Sequence, residues 1–202
     1  MDSPHSPELP DLAGLLGEIT RELRGREIPF MLIGGQAVLL HGRPRLTEDI
    51  DITLGADPGA LDEMLAACTA LDLTPLPADP RGFVHETFVL PTAHEATRQR
   101  VDFIFSSTPY EGQAIERAVS VEAGGAAVPF ATAEDLLIHK IFAGRARDIE
   151  DAESIARRQA GTLDWDYLSY WAAQFATLPG REEMPDRVEE LRSSVQRERD
   201  EP

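Results

Sequence analysis

Three aspartates have the type and spacing for metal-assisted chemistry at phosphorus. Asp49 and Asp51 lie two residues apart in DIDITL, an apolar run with the alternation of a β-strand. Because side chains alternate across a strand, both carboxylates project from one face. Asp102 lies in a second such run, RVDFIF. Carboxylates on neighbouring strands repel unless a cation neutralises them, and their oxygens suit Mg²⁺. We therefore predict that all three are catalytic and hold two Mg²⁺ ions, about 3.5–4 Å apart, for in-line displacement.

A glycine pair supplies the second part of the predicted site. Gly34 and Gly35 follow the apolar segment FMLI and precede QAVLLHG, which is typical of a short helix. Glycines at such a junction let the backbone approach a ligand, and the helix N-terminus offers free N–H groups to a phosphate. Together with the carboxylates, this predicts a nucleoside triphosphate (NTP) bound with Mg²⁺.

Each motif taken singly is weak, because the chain contains similar pairs elsewhere. Asp164-Trp165-Asp166 stands at a predicted helix start, where the acids are interpreted as capping residues. Gly124-Gly125 is interpreted as a hairpin turn. The joint order is what indicates a nucleotide site: strand, glycine pair, short helix, then RxTxDxD entering a second strand.

This order resembles the nucleotidyltransferase superfamily that includes DNA polymerase beta. There an apolar residue and G[GS] are followed, about a dozen residues later, by DhDh; here 13 residues separate Gly35 from Asp49. More narrowly, GG…RxTxDID resembles the AbiEii-type bacterial toxins and related minimal nucleotidyltransferases. That group also carries a later helical motif like KxxAxRxxDxxD, and the matching segment here is LLIHKIFAGRARDIEDA.

The resemblance implies a role for each matching residue. Asp49 and Asp51 would bind the metals, and Asp102 would be the third carboxylate and activate the acceptor hydroxyl. Lys140, the single lysine in a chain with 18 arginines, would reach the triphosphate or the base. Asp148 and Asp151 would organise the second motif, whose charges could instead be surface ion pairs. The residues predicted to bind the nucleotide are Gly34, Gly35, Arg45, Thr47, Lys140, Arg145 and Asp148.

The function implied is Mg²⁺-dependent transfer of a nucleoside monophosphate from an NTP to an acceptor hydroxyl. The resemblance leaves the acceptor open between an RNA end and a protein. It implies the toxin component of a bacterial toxin-antitoxin or phage-defence system, with a cognate antitoxin protein as a partner. A small-molecule acceptor, as in aminoglycoside-modifying relatives, is an alternative. Further alternatives are a non-catalytic nucleotide-binding or antitoxin-like protein and a metal-dependent nuclease.

Composition excludes several other classes. The 202 residues carry a formal charge of −17, which argues against a broad nucleic-acid-binding surface but leaves a local basic site open. One cysteine, Cys68, excludes an internal disulfide and a cysteine-rich zinc site. No apolar run approaches the roughly 18 residues of a membrane span, and no signal-peptide pattern is present. We expect a cytoplasmic protein without membrane contact.

The elements that must position these residues indicate an α+β fold. Residues 1–10 are predicted to be a disordered tail. Residues 11–131 are predicted to form a nucleotidyltransferase domain, with a small mixed β-sheet flanked by helices. Within it, 72–82 has the prolines of a loop and 83–90 the apolar pattern of a strand. Residues 132–199 contain four helical patterns and are predicted to form a C-terminal helical bundle.

Overall fold

A computed structural model of the chain describes residues 12–47, 49–106 and 108–200. The predicted tail at 1–10 lies outside these residues. The strands are β1 (Phe30–Ile33), β2 (Asp49–Gly55), β3 (Leu73–Pro75), β4 (Val89–His94), β5 (Arg100–Ser106), β6 (Val119–Ala123) and β7 (Ala126–Phe130). The helices are α1 (Leu12–Gly25), α2 (Gly34–His41), α3 (Leu61–Ala70), α4 (Pro80–Thr87), α5 (Pro109–Arg117), α6 (Ala133–Ala143), α7 (Ala146–Arg158), α8 (Trp165–Phe175) and α9 (Met184–Asp200). None of the helices described is long and apolar enough to cross a membrane.

The sheet is mixed, and its pairing brings the predicted carboxylates together. The strand order is β3-β4-β5-β2-β1-β7-β6. β2 runs parallel to β5 and antiparallel to β1, and β7 runs parallel to β1. In this register Asp51 is opposite both Asp102 on β5 and Ile33 on β1, and Ile33 immediately precedes the glycine pair. A seven-stranded mixed sheet with helices, followed by helices α6–α9, confirms the predicted α+β fold.

The alternation of β2 separates its core face from its polar face. Ile50, Ile52 and Leu54 are fully buried, whereas Asp49 and Asp51 are partly exposed. Burial of the aliphatic side chains anchors the strand and holds the carboxylates on the opposite face. The apolar core continues into the C-terminal helices, because one cluster of buried residues reaches from Ile19 in α1 to Val195 in α9.

Two predicted helix caps are confirmed. The Thr132 hydroxyl accepts a hydrogen bond from the Asp135 N–H (3.1 Å) at the start of α6 and donates one to Asp135 Oδ2 (2.7 Å). The Asp164 carboxylate accepts from the Tyr167 N–H (2.9 Å) at the start of α8. The second Asp-x-Asp motif therefore caps a helix, as its interpretation required.

Residues 72–90 fold differently from the prediction. The predicted loop contains β3 and the start of α4, and α4 occupies most of the predicted strand 83–90. The helix begins where Asp79 Oδ1 accepts from the Gly82 N–H (3.1 Å), with Pro80 in the first turn. It ends at Phe88, whose φ of 59° lies in the left-handed region. The apolar residues interpreted as one strand are thus divided between a helix and β4.

Candidate active site

All ten residues predicted for the site line one cavity of about 1010 Å³. Its walls are the β1–α2 junction, the polar face of β2 and β5, and α6 with the start of α7. The volume lies at the upper end of the range for small-molecule sites. The predicted residues along it are Gly34, Gly35, Arg45, Thr47, Asp49, Asp51, Asp102, Lys140, Arg145 and Asp148.

The electrostatics around Asp51 favour a bound cation. Burial raises the pKa of Asp51, and the carboxylates of Asp102 and Asp49 raise it further. Lys140 and Arg145 act in the opposite direction but do not outweigh these effects. Neighbouring carboxylates that destabilise one another's charge are stabilised by a cation between them.

Arg100 supplies a positive charge beside Asp102 that the sequence interpretation missed. Its guanidinium donates two hydrogen bonds to the Asp102 carboxylate, at 2.8 and 2.9 Å, and these raise the pKa of Arg100. In this arrangement the described residues contain no group of three or more acidic, histidine or cysteine side chains set to hold a metal. The donor set of Asp49, Asp51 and Asp102 nevertheless consists of the hard oxygen ligands that suit Mg²⁺.

The glycine pair makes room for the site's own side chains. Gly34 has a φ of +63°, and a Cβ atom on it would overlap the Asp51 carboxylate. A Cβ atom on Gly35 would overlap the Thr47 hydroxyl. α2 begins at this turn, and no side chain caps its first N–H groups. The β1–α2 junction thus joins close packing around Asp51 to a helix start that can bind an anion.

A buried network of charges links the helical half to the loop before β2. Lys140 Nζ lies 2.9 Å from both Asp148 Oδ1 and Asp151 Oδ2, and all three side chains are almost fully buried. Arg45 donates two hydrogen bonds to Asp151, each of 2.8 Å, and Arg145 Nε donates to Asp148 Oδ2 at 2.6 Å. We call these five residues the charge network; it carries one more positive than negative charge.

The network determines the ionisation of its acids. Burial alone would raise the pKa of Asp148, but hydrogen bonds from Arg145 and Lys140 outweigh burial and lower it. Burial would also raise the pKa of Asp151, but hydrogen bonds from Arg45 and Lys140 outweigh burial and lower it. Lys140, predicted to reach a phosphate or a base, therefore lies at the cavity wall with its ammonium between two carboxylates.

Comparison with known proteins identifies the family. The sequence matches, over residues 11–197, the family described as nucleotidyltransferase of unknown function (DUF6036). The chain belongs to this family of nucleotidyltransferases. None of the curated proteins compared with it is similar in sequence.

Solved structures share the fold of this nucleotidyltransferase at low sequence identity. One is an antigenic nucleotidyltransferase-like protein from Paracoccidioides brasiliensis, 19% identical, with a TM-score of 0.54 over 94% of this chain and 88% of that one. Another is ANT(2")-Ia in complex with adenylyl-2"-tobramycin, 15% identical, with a TM-score of 0.53 over 93% of this chain and 98% of that one.

Proposed function

We propose that the cavity transfers a nucleoside monophosphate from an NTP to an acceptor hydroxyl. The β1–α2 junction at Gly34 and Gly35 is called the glycine turn. The observation that carries the proposal is that the glycine turn, the uncapped start of α2 and three carboxylates line one cavity. Phosphate-binding groups and phosphoryl-transfer carboxylates are thereby within reach of one ligand. Family membership supports the same class of reaction.

Each group of residues has a defined task in the reaction. The first N–H groups of α2 bind the triphosphate, and the charge network holds Arg45 and Arg145 at the cavity. The acceptor oxygen forms a bond to the α-phosphorus, and the bond from that phosphorus to the pyrophosphate oxygen breaks. Asp102 accepts the proton of the acceptor hydroxyl after Arg100 has moved from its carboxylate. Pyrophosphate leaves from the side of the glycine turn.

Asp49, Asp51 and Asp102 are the residues that would hold Mg²⁺, as two ions. When bound, Mg²⁺ supplies positive charge that stabilises the triphosphate and the developing charge at phosphorus. The raised pKa of Asp51 supports this assignment, because Lys140 and Arg145 do not offset its burial and the two neighbouring carboxylates.

Replacement of Asp51 tests the proposal. The protein is incubated with Mg²⁺ and each α-labelled NTP, together with total RNA, lysate protein and a pool of small alcohols. We expect label transfer and pyrophosphate release with the native protein, and a loss of at least about 100-fold in D51N. D166N is the matched control, because Asp166 belongs to the second Asp-x-Asp motif, on α8. No transfer with any acceptor, or equal transfer in D51N, would contradict the proposal.

The labelled fraction identifies the acceptor. The sequence resemblance to AbiEii-type toxins predicts an RNA end or a protein, and the adenylyl-tobramycin bound to ANT(2")-Ia is the reason for including small alcohols. Growth arrest on expression, abolished by D51N, would support the predicted toxin role and justify a search for an antitoxin.

A further inference from the structure

The cavity continues beyond the carboxylates into a region of different chemistry. Along β2 and β5, the residues that follow Asp51 and Asp102 on the same face are Thr53 and Ile104, which are opposite each other in the register. α5 and the inner face of α6 complete this part of the wall. We call it the inner chamber; its lining includes Thr53, Ile104, Tyr110, Leu136, His139 and Phe142.

Two buried polar atoms in the inner chamber have no hydrogen-bond partner among the described residues. Thr53 is 1% exposed, and its Oγ1 makes no hydrogen bond. His139 Nε2 is likewise buried and unpartnered. An unsatisfied buried polar group costs about 1–3 kcal/mol, so two of them on one cavity wall point to a ligand that satisfies them.

The two unpartnered groups of the inner chamber, the Thr53 hydroxyl and the His139 ring, are uncharged at pH 7. Burial lowers the pKa of His139 to about 4, so its ring is neutral at pH 7 and can donate or accept a hydrogen bond. The ring lies 5.7 Å from that of Tyr110, centre to centre. Glu111, at the edge of the chamber, accepts a hydrogen bond from the Thr108 hydroxyl, and burial raises its pKa. Aromatic rings with neutral hydrogen-bonding groups suit a flat, polar-edged ring.

The order of the strands indicates which part of a substrate enters. In-line displacement places the attacking and leaving oxygens on opposite sides of phosphorus. The glycine turn follows the end of β1, Asp51 lies on β2 and Asp102 on β5, and these strands are neighbours, so this axis runs across the strands. The inner chamber lies along the strands, with Thr53 about 7 Å from Asp51 at the usual rise per residue. Besides the attacking and leaving oxygens, the α-phosphorus carries the nucleoside. The direction along the strands is open to this nucleoside.

We propose that the inner chamber binds the nucleoside of the NTP and that Thr53 and His139 are its recognition residues. This inference rests on the proposed function and deepens it. Thr53 and His139 hydrogen-bond the nucleoside, while the glycine turn and the part of the cavity at Asp49, Asp51 and Asp102 bind the phosphates. The selectivity among NTPs is then a property of β2 and α6.

Binding measurements separate the two ends of the cavity. Calorimetry with Mg²⁺ compares the α,β-methylene analogues of ATP, GTP, CTP and UTP with inorganic tripolyphosphate, which carries no nucleoside. The variants are T53V, which removes the hydroxyl at nearly constant shape; T53S, which keeps it; and H139F, which keeps a ring. T20V is the matched control, because Thr20 Oγ1 is also buried and unpartnered but lies on α1 outside the cavity.

We expect at least one NTP analogue to bind the native protein more tightly than tripolyphosphate. T53V and H139F should weaken it about tenfold, the size of one hydrogen bond, and leave tripolyphosphate unchanged. T53S and T20V should bind like the native protein, and T53V should melt no lower than it. Equal affinity of native protein, T53V and H139F for the NTP analogues would overturn the inference and leave the proposed function intact. Loss of transfer activity is measured separately, in the D51N assay.

Discussion

At the scale of single residues, the site depends on missing side chains as much as on present ones. Gly34 leaves the space that the Asp51 carboxylate occupies, and Gly35 leaves the space of the Thr47 hydroxyl. The glycine pair was predicted to let a phosphate approach the backbone. The structure adds a second reason for glycine there, because any side chain at Gly34 would displace a carboxylate.

Substitution of Gly34 by alanine should therefore affect activity more than stability alone would explain. The left-handed φ costs about 1–2 kcal/mol, and the overlap with Asp51 moves its carboxylate, for which we expect a loss of at least about 100-fold in transfer. Gly125→Ala is the control, since Gly125 has a φ of +70° but open space around its Cβ position. G125A should lose stability in urea unfolding but keep its transfer rate. A G34A protein as active as G125A would contradict this prediction.

The sequence predicts the residues of this site unequally. Asp49, Asp51 and Asp102 follow from the two-residue period of a strand, and their positions on one cavity wall agree with that period. The same period places Arg100 and Thr53 on the same face, each two residues from one of these acids. Neither residue type is distinctive enough to indicate a functional role. His139 depends on how α6 packs against the sheet, which no local pattern specifies.

At the scale of elements, the charge network fixes α6 and α7 to the loop that precedes β2. Lys140 on α6 contacts two carboxylates of α7, and Asp151 of α7 holds Arg45. A buried charge left without its partner is costly, so the five groups constrain one another. Movement of α7 would move Arg45 relative to the carboxylates of β2.

Removal of the Lys140 charge should test how strongly this network is coupled. K140M leaves two buried carboxylates with one arginine partner each, and we expect it to lower the free energy of unfolding by about 2–4 kcal/mol. R157A is the control, because Arg157 pairs with Glu153 and Glu198 at half-exposed positions. It should cost less than about 1 kcal/mol in urea unfolding. Similar losses in the two variants would argue against the network.

Element prediction failed where one local pattern, apolar alternation, conflicts with another, a helix cap. FVHETFVL has the apolar spacing of a strand, yet its first five residues belong to α4. Asp79 and Pro80 form a helix-start signal that was interpreted as part of a loop. The helix ends at Phe88 in the left-handed region, a position where glycine is the usual sequence signal. Capping residues were better evidence here than apolar alternation.

At the scale of the whole molecule, the charge at the cavity differs from the overall charge, whereas the apolar core is common to both halves of the chain. The chain carries a formal charge of −17, yet the charge network at the cavity has an excess of positive charge. The phosphate binding that we propose therefore depends on local charge rather than on the overall field. The core, by contrast, is shared, because one apolar cluster joins the sheet to α6–α9. The division predicted at residues 131 and 132 thus crosses a continuous core.

The shared core predicts that the two halves unfold together, and the chain provides one probe in each. Cys68, the single cysteine, is buried on α3, where burial raises its pKa to about 12. Both tryptophans, Trp165 and Trp171, lie on α8. In a urea titration, brief thiol labelling of Cys68 and tryptophan fluorescence should give the same midpoint and slope, since breaking either half exposes the other's buried surface. A fluorescence transition at lower urea than Cys68 labelling would show that residues 132–199 unfold as a separate domain.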